Sequence, residues 1–481
     1  MKACSKLAVG GLVLGLSMPA VAEVSRAEVE ALRAEIAQLR AQQAQQTDNW
    51  MNERRAAEVR AIVQEVLADA ETRASLLQEG MYAGHNGSKF FLQSADGGFL
   101  MEVDGQIQLR YTYNRRNGSH SSVIDSFGYS DDSNVAGFEL RRTKIQFSGH
   151  IADPRLKYAL RLSVDRYDNV VEADRIVIGY QFGNFYLWGG EDKAPFTREE
   201  LVSSAYQLAA ERSVVGEVFS VDRAQGVGLV WHDPAFLNDS LKVQVMVNDG
   251  LRSGDGATSS NPFTQYYVDS LGDTYYRYTN KSFSGDASDF AVTARADVRL
   301  AGQWEQWKDF TSFPGEEFAA FVGGAIHWEV GRTGDTLLNN DFFMWTLDAS
   351  VEVNGLNAFA AIYGMHTDNE GGVKDYDIYG FVIQGGYNIA VGDDSFEPFV
   401  RYEYIDLDGA ASDAGLTDDD TINLITFGAN YYLNRHSAKV TVDIVWVLDP
   451  MPYGFSGQGL LADLTGEDDQ VVFRGQFQLL Y

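Results

Sequence analysis

Cysteine is almost absent from this sequence, since Cys4 is the only one among 481 residues. It lies in a basic start that is followed by an apolar stretch at 7–16 and by the small residues at 20–22. This order is typical of a secretory signal peptide, and we predict one at residues 1–22. The exported chain would then have no cysteine, which excludes disulfides, thiol catalysis and thiolate metal sites.

Long apolar runs and basic residues are also scarce. No segment after the start approaches the roughly 20 apolar residues that a membrane-spanning helix needs. The chain has 38 Lys and Arg against 68 Asp and Glu, a formal net charge of -30, which argues against a nucleic-acid partner. Aromatic residues are plentiful, with 24 Tyr, 28 Phe and 8 Trp. A membrane protein of this composition would have to cross the bilayer as a closed β-barrel.

The segment 23–79 contains no glycine and is rich in Ala, Glu, Gln, Arg and Leu, a composition that predicts a helix. Val29, Leu32, Ile36 and Leu39 recur at alternating three- and four-residue steps, the apolar seam of a coiled coil. We therefore expect an oligomeric, trimeric or other, periplasmic stalk. The alternative is a solvated helix that contributes nothing to assembly. Residues 80–98 are expected to be a linker.

From residue 99 to the end the apolar residues recur with period two, in stretches of about ten residues, the length of a tilted barrel strand. The last strand shows this best, with Val471, Phe473, Phe477, Leu479 and Tyr481 on one face. Such stretches number about 16, which predicts an all-β fold, a 16-stranded antiparallel transmembrane barrel wide enough for an aqueous channel. A soluble β-sandwich is the alternative reading of the same alternation.

The same period assigns charged residues to the inner face of the barrel. The inward bases are Arg110, Arg142, Lys144, Lys157, Arg161, Arg175, Lys242, Arg295, Arg299, Arg401, Lys439 and Arg474. By the same parity Arg141 would face outward. Much of the acid instead falls in predicted loops, so the lumen is expected to be more basic than the whole chain. The alternative role for these bases is to pair with inward acids and brace the wall.

An ordered series of segments resembles the phosphate-selective porin O and P family. The series comprises residues 138–166, 187–204, 211–215, 397–406, 428–446 and 473–481. The resemblance implies a trimer of 16-stranded barrels in the outer membrane that takes up phosphate or other anions. It also implies a loop that narrows the pore, for which Lys193, Arg198, Arg212 and Arg223 are candidates. Their alternative role is to anchor that loop through pairs with Glu199, Glu200 and Glu211.

Together these patterns predict an outer-membrane porin for passive diffusion of small solutes, with anions such as phosphate preferred. Two alternatives stay open: a general or cation-preferring porin, and a structural anchor whose stalk contacts the cell wall. The histidines show no ligand spacing and no catalytic set is evident, so we expect neither an enzyme nor a cofactor or metal. The expected partners are outer-membrane lipid, two further copies of the chain and small anions.

Overall fold

A computed structural model of the chain describes residues 26–48, 80–118, 134–164, 170–251, 266–268, 274–276, 288–331, 340–369, 374–413, 419–452, 454–463 and 467–481. The chain divides into two compact units, Met1–Gln78 and Glu79–Tyr481. The expected signal peptide and the expected helix at 23–25 and 49–79 lie outside the described residues, as do most of the predicted long loops.

The first unit contains helix α1 (Arg26–Asp48), whose sequence is made mostly of strong helix formers. The apolar seam residues Val29, Leu32, Ile36 and Leu39 are all exposed in the single chain. Of the helical segment predicted at 23–79, the structure describes residues 26–48 as helix, and the coiled-coil pairing stays a prediction. Within the described residues no helix is both long and apolar enough to cross a bilayer.

The second unit is a closed antiparallel barrel. In the described part of the chain its wall has 16 strands: β3 (Phe99–Gly118), β4 (Asn134–Ile151), β5 (Asp153–Val164), β6 (Val171–Phe182), β7 (Phe185–Lys193), β8 (Arg223–His232), β9 (Leu241–Asn248), β12 (Phe290–Ala301), β13 (Ala319–Val330), β14 (Asn340–Val353), β15 (Leu356–Asn369), β16 (Tyr376–Tyr387), β18 (Asp394–Asp406), β19 (Thr421–Asn434), β20 (Ala438–Val447) and β21 (Glu467–Leu480). Each strand pairs with the next, and β21 pairs with β3 to close the ring. The predicted strand number is confirmed.

Three short strands extend this wall, and two more stand apart. β1 (Met81–His85) and β2 (Phe90–Ser94) form a hairpin, and β17 (Ile389–Val391) pairs with the start of β18. β10 (Tyr266–Val268) and β11 (Thr274–Tyr276) form a separate pair. The segment expected to be a linker is therefore largely a β-hairpin that is part of the barrel unit.

The hairpin sits directly beyond the end of the chain. β3 is long enough to pair with two partners along one edge: its residues from Gln106 onward pair with β21, while Leu100 to Val103 pair with β2. The backbone of Tyr481 hydrogen-bonds Gly105 between these two stretches. A side chain at Gly105 would meet the Tyr481 ring, since an added Cβ would lie 2.4 Å from Tyr481 Cζ.

Side chains alternate between an apolar outer face and a polar inner face. On β13, Val322, Ile326 and Trp328 are exposed on the outside, whereas His327 and Glu329 are fully buried on the inside. An exterior more apolar than the interior is the reverse of a soluble protein, and it identifies a barrel that faces lipid rather than a β-sandwich.

The two ends of the barrel differ in their connections. At the end where Tyr481 lies, which we call the turn end, strands join through one or two residues at Ala152, at 183–184 and at Asn354-Gly355. The last pair has φ values of 44° and 94°, the left-handed conformation that a two-residue hairpin turn requires and that Asn and Gly accept most readily.

Candidate functional site

The connection between β7 and β8, residues 194–222, folds into the lumen, and we call it the inward loop. It contains two short helices, α2 (Arg198–Leu201) and α3 (Val214–Val218). Each begins at a hydroxyl that caps the helix: Thr197 accepts a hydrogen bond from the Glu200 amide, and Ser213 accepts one from the Gly216 amide at 2.7 Å. Such caps allow helices this short to form.

Apolar packing fills one half of the lumen. Phe196, Leu208, Val214, Val218 and Phe219 of the inward loop are at most 1% exposed. They pack against inward-facing apolar residues of β14 to β20, such as Met344, Phe359, Tyr363, Ile378, Ile405 and Leu424. Phe219 stacks on Tyr363 with ring centroids 5.3 Å apart. We call this region, bounded by β12 to β21 and β3, the packed half.

Charged wall residues of the packed half bind the backbone of the inward loop. Arg295 donates to the Phe196 carbonyl at 2.7 Å, Arg401 to the Glu211 carbonyl at 2.8 Å, and Arg110 to the Ala210 carbonyl at 3.0 Å. All three side chains are at most 2% exposed. These three predicted pore-lining residues therefore anchor the inward loop, because the loop covers them.

Each of these buried cations also meets a carboxylate. Arg295 bonds Asp297 at 2.6 Å and Asp348 at 2.8 Å, and Arg401 lies 2.7 Å from Glu403. Two further inward bases follow the same pattern. Arg474 pairs with Asp443 at 2.7 Å, and Lys439 donates to the Gln207 carbonyl at 2.9 Å. The packed half therefore uses its charges for bracing, as the alternative reading of the sequence anticipated.

The other half of the lumen, along β4 to β9, is open. A cavity of about 1160 Å³ lies between this wall and the inward loop, and its lining reaches from Gly454 and Phe455 at one end to His85 and Tyr481 at the turn end. We call this region the open half. Among the described residues its lining includes nine Lys and Arg, namely Lys89, Arg141, Arg142, Lys144, Arg161, Arg175, Lys193, Arg212 and Arg223.

Three of these bases surround one carboxylate. Asp174 accepts from Lys144 at 2.8 Å and from Arg161 at 2.6 Å, and Arg223 lies 3.7 Å away. Arg161 Nη2 and Arg223 Nη1 have no hydrogen-bond partner within the described residues. One negative charge is thus shared by three positive ones, and donors remain unused.

A second carboxylate, Glu200 of the inward loop, is held by two more bases. Lys193 Nζ lies 3.3 Å from its Oε1, and Arg212 Nε lies 3.2 Å from its Oε2. Both bases also donate to backbone carbonyls of the loop, including that of Val202. Although burial opposes ionisation, the nearby cations, Arg212 foremost, lower the pKa of Glu200 to about 2, so its carboxylate is charged at neutral pH.

These residues form the candidate site, which we call the basic cluster: Lys144, Arg161, Lys193, Arg212 and Arg223 around Asp174 and Glu200. Arg223 interacts electrostatically with both carboxylates, so the two groups are contiguous. Three of the four predicted constriction residues belong to it. Lys193 and Arg212 both anchor the loop and line the cavity, so the two roles proposed from sequence coincide.

A third group lies beside the basic cluster. Glu211 accepts from Arg110 at 2.5 Å, from Arg141 at 2.5 Å and from Arg142 at 2.8 Å. Burial alone would raise the pKa of Glu211, but the three guanidinium groups hold it well below its ordinary value. Arg142 therefore faces inward as predicted, while Arg141, expected on the outer face, also points inward.

A β-bulge explains the position of Arg141. Along β3 and β4, Gln108 pairs with Arg142 and Leu109 with Leu140, so Arg141 is an extra residue on its strand. A second bulge on β6 leaves Asp174 unpaired between Ala173 and Arg175. Bulges break the two-residue period, so parity misassigned Arg141 and missed Asp174. The available signal was two adjacent charges within a strand, because one of them would otherwise face lipid at a cost of roughly 2–4 kcal/mol for Arg near the midplane.

The remaining predicted bases lie apart from the basic cluster. Arg175 pairs with Asp192 at 2.9 Å on the cavity wall. Arg299 donates to the carbonyls of Asn238, Asp239 and Gly302 at the turn end. Lys157 is exposed and lies 5.7 Å from the centroid of the Tyr186 ring, and Lys242 lies 5.6 Å from that of Trp307.

Arg198, the fourth predicted constriction residue, does not line the open half. It is 1% exposed and its guanidinium lies over the Trp307 ring, 5.2 Å from the centroid. Trp307 belongs to the connection between β12 and β13, residues 302–318, which we call the lower loop because it enters the lumen from the turn end. Arg198 therefore contacts aromatic rings and not the glutamates that were proposed from the sequence as its partners.

Seven carboxylates share the lining of the cavity with the nine bases: Asp104, Glu172, Asp174, Asp192, Glu200, Glu217 and Asp222. The formal balance of this lining is thus +2, from nine minus seven, against -30 for the whole chain. In the described ranges, no group of three or more His, Cys, Asp or Glu side chains is arranged to hold a metal ion.

A family model named "Phosphate-selective porin O and P" matches residues 112–447. An uncharacterised protein of Aquifex aeolicus is 23% identical over 306 residues, which make up 62% of this chain. The chain spans 64% of the length of that curated relative.

Several solved structures align with most of this chain at TM-scores below 0.5. An anion-selective porin from Comamonas acidovorans is 12% identical with a TM-score of 0.48, covering 79% of this chain and 99% of its own. OmpF of Salmonella typhi, in complex with daunomycin, is 13% identical with a TM-score of 0.49, covering 83% and 100%. OmpT of Vibrio cholerae is 11% identical with a TM-score of 0.46, covering 79% and 98%.

Proposed function

The chain belongs to the phosphate-selective porin O and P family and folds as an outer-membrane β-barrel porin, and we propose that its open half conducts small solutes with a preference for anions, phosphate among them. The observation that carries this proposal is the basic cluster, in which five cations surround two carboxylates. The charge of the permeation path is therefore opposite in sign to that of the whole chain.

The electrostatics of a narrow path favour this reading. A low-dielectric wall focuses the field of charges inside a pore, so a local excess of positive charge lowers the barrier for anions and raises it for cations. The guanidinium groups of Arg161 and Arg223 line the cavity and suit a phosphate oxygen, because a guanidinium can donate two parallel hydrogen bonds to an oxyanion. A permeating anion would take over some of the contacts that the three surrounding bases make with the Asp174 carboxylate.

The proposal is tested by the reversal potential of the purified protein in planar bilayers under a KCl gradient. We expect a potential of the sign that chloride permeation gives, and a chloride current that added phosphate blocks. A potential of cation sign without block would sink the anion preference.

A general or cation-preferring porin is the second candidate. It is favoured by the seven carboxylates in the cavity lining and by the overall charge of -30, which would gather cations at the mouths. Ionic strength separates the two candidates, since charges at the mouths are screened more than charges in the narrow path. Cation preference at low salt that vanishes in concentrated salt would place the governing acids at the mouths.

The setting of the channel is also proposed. Residues 1–22 would be removed as a signal peptide during export. The exposed seam of α1 would pair with further copies in a homotrimer, leaving the helix in the periplasm where it can contact the cell wall. The outer apolar face would contact outer-membrane lipid. We propose no enzymatic activity and no cofactor, and a barrel without conductance would revive the structural-anchor alternative.

A further inference from the structure

A single arginine joins two loops that enter the lumen from opposite ends. Arg198 of the inward loop lies within 6 Å of four ring centroids: Trp307 at 5.2 Å, Phe310 and Phe321 at 5.4 Å, and Phe359 at 5.8 Å. Two of these rings belong to the lower loop and two to the wall. Cations bind ring faces most strongly where water is excluded, and this side chain is fully buried.

Hydrogen bonds fix the orientation of the same side chain. Its Nη2 donates to the backbone carbonyl of Trp307 at 3.1 Å, and its Nη1 donates to Ser350 Oγ on β14. In the described part of the chain Arg198 forms no ion pair, unlike the other buried arginines of the packed half. Its contacts are directed to the lower loop and to the barrel wall, and not to a carboxylate.

The lower loop is itself held in place where it contacts Arg198. Thr311 Oγ1 bonds the Tyr432 hydroxyl at 2.9 Å, Asp309 lies 3.2 Å from His436 Nε2, and the Gly315 amide donates to Asn354 at 2.8 Å. The lower loop is therefore held to β19, to the next turn and to the β14–β15 turn independently of the inward loop.

The position of Arg198 in the chain links the lower loop to the permeation path. It lies in the same helical turn as Glu200, whose carboxylate bridges Lys193 and Arg212 on the cavity wall. A shift of α2 would move Glu200 and change both the width and the charge of the open half.

We infer that Arg198 is a positioning residue that sets the width and selectivity of the channel by locking the inward loop to the lower loop. The inference rests on the proposed channel function, but the contact itself does not. Loss of the guanidinium would release α2, so that the inward loop moves away from the lower loop.

The first test compares Arg198→Met, which keeps the length of the side chain, with Arg198→Lys, which keeps the charge. Arg435→Met is the matched control, because Arg435 also lies over a ring of the lower loop, 4.5 Å from the Phe313 centroid, but is exposed. For Arg198→Met we expect a rise in single-channel conductance of at least about twofold and a weaker anion preference. Arg198→Lys should lie between Arg198→Met and the unmodified protein, and the control should match the unmodified protein.

A second readout does not require conductance. Ala209 is a buried residue of the inward loop, and no cysteine follows Cys4, so Ala209→Cys gives a single label site once the signal peptide is removed. Reaction with a membrane-impermeant maleimide should be about tenfold faster when Arg198→Met is added, because local opening exposes the site more often. The unmodified protein failing to conduct would overturn the proposed function while the labelling rate still tests the lock.

Folding is checked by the migration of unheated samples in detergent gels. If Arg198→Met does not fold, Trp307→Leu removes the main ring and should give a smaller change in the same direction. Folded variants with unchanged conductance, unchanged selectivity and unchanged labelling would overturn the inference, as would an equal effect of Arg435→Met.

Discussion

Arginine has different roles in the two halves of the lumen. Arg295 in the packed half and Arg161 in the open half both point inward from a strand and both bind carboxylates. The first is fully buried beneath the inward loop, whereas the second lines the cavity of the open half. What decides the role of an inward arginine is whether the loop covers it.

Arg295→Met should destabilise the packed half and give the largest effect, which is a loss of stability to unfolding. It leaves Asp297 and Asp348 buried without their cation and removes a bond to the Phe196 carbonyl. Breaking a buried pair in this way costs roughly 3–5 kcal/mol. Urea unfolding in detergent would measure the loss, with Arg161→Met of the open half as the control. Equal losses for both would mean that the halves do not differ in bracing.

Neutralising the open half should change selectivity and leave the fold in place. For the triple variant Lys144→Gln, Arg161→Gln and Arg223→Gln, the chloride-to-potassium permeability ratio is expected to fall about tenfold, equivalent to about 1.4 kcal/mol in relative barrier height. Reversal potentials measure this ratio. Arg299→Gln at the turn end, whose guanidinium is bound to carbonyls, should leave it nearly unchanged. An unchanged permeability ratio in the triple variant would show that the basic cluster does not line the permeation path.

Removing the charge of Asp174 should increase the anion preference of the open half. Asp174→Asn deletes the charge that Lys144, Arg161 and Arg223 share. The permeability ratio should rise about threefold, or about 0.7 kcal/mol, and phosphate should block at lower concentration. Asp153→Asn is the control, since Asp153 pairs with the exposed Arg155 outside the cavity. A fall in anion preference would show that Asp174 organises the bases more than it competes with anions.

The smallest expected effect concerns pH and the lower loop. Burial raises the pKa of Asp309 to about 7. A carboxyl whose pKa is raised on folding disfavours the folded state as it ionises, so stability should fall as the pH rises from about 4 through 7. After discounting for partial contact with water, we expect no more than about 1 kcal/mol. Melting temperatures at pH 5 and pH 8 should differ less for Asp309→Asn than for the unmodified protein, and an identical difference would contradict this.

The barrel could be predicted from the sequence because its signal is periodic. Lipid on one side and water on the other favour alternation along the strands, and the last strand displays it from Val471 to Leu479. The inward direction of most charged wall residues followed from the same parity. Local pattern thus sufficed wherever the environment of a strand is set by the membrane.

The packed half could not be predicted in this way, because it depends on contacts distant in sequence. Arg110 binds the Ala210 carbonyl, and no pattern around either residue predicts that contact. The lower loop was missed for a similar reason: no local pattern predicts that the 17 residues between Ala301 and Ala319 enter the lumen. The bulges at Arg141 and Asp174 were visible only as adjacent charges that parity could not place.

The hairpin of β1 and β2 has a consequence for how the ring closes. Tyr481 pairs with Gly105, and the next position of the same β3 edge, Val103, is already taken by Phe90. A slip of the last strand by two residues toward the turn end would drive the terminal tyrosine into β2. The hairpin therefore blocks a slip of β21 along β3 toward the turn end.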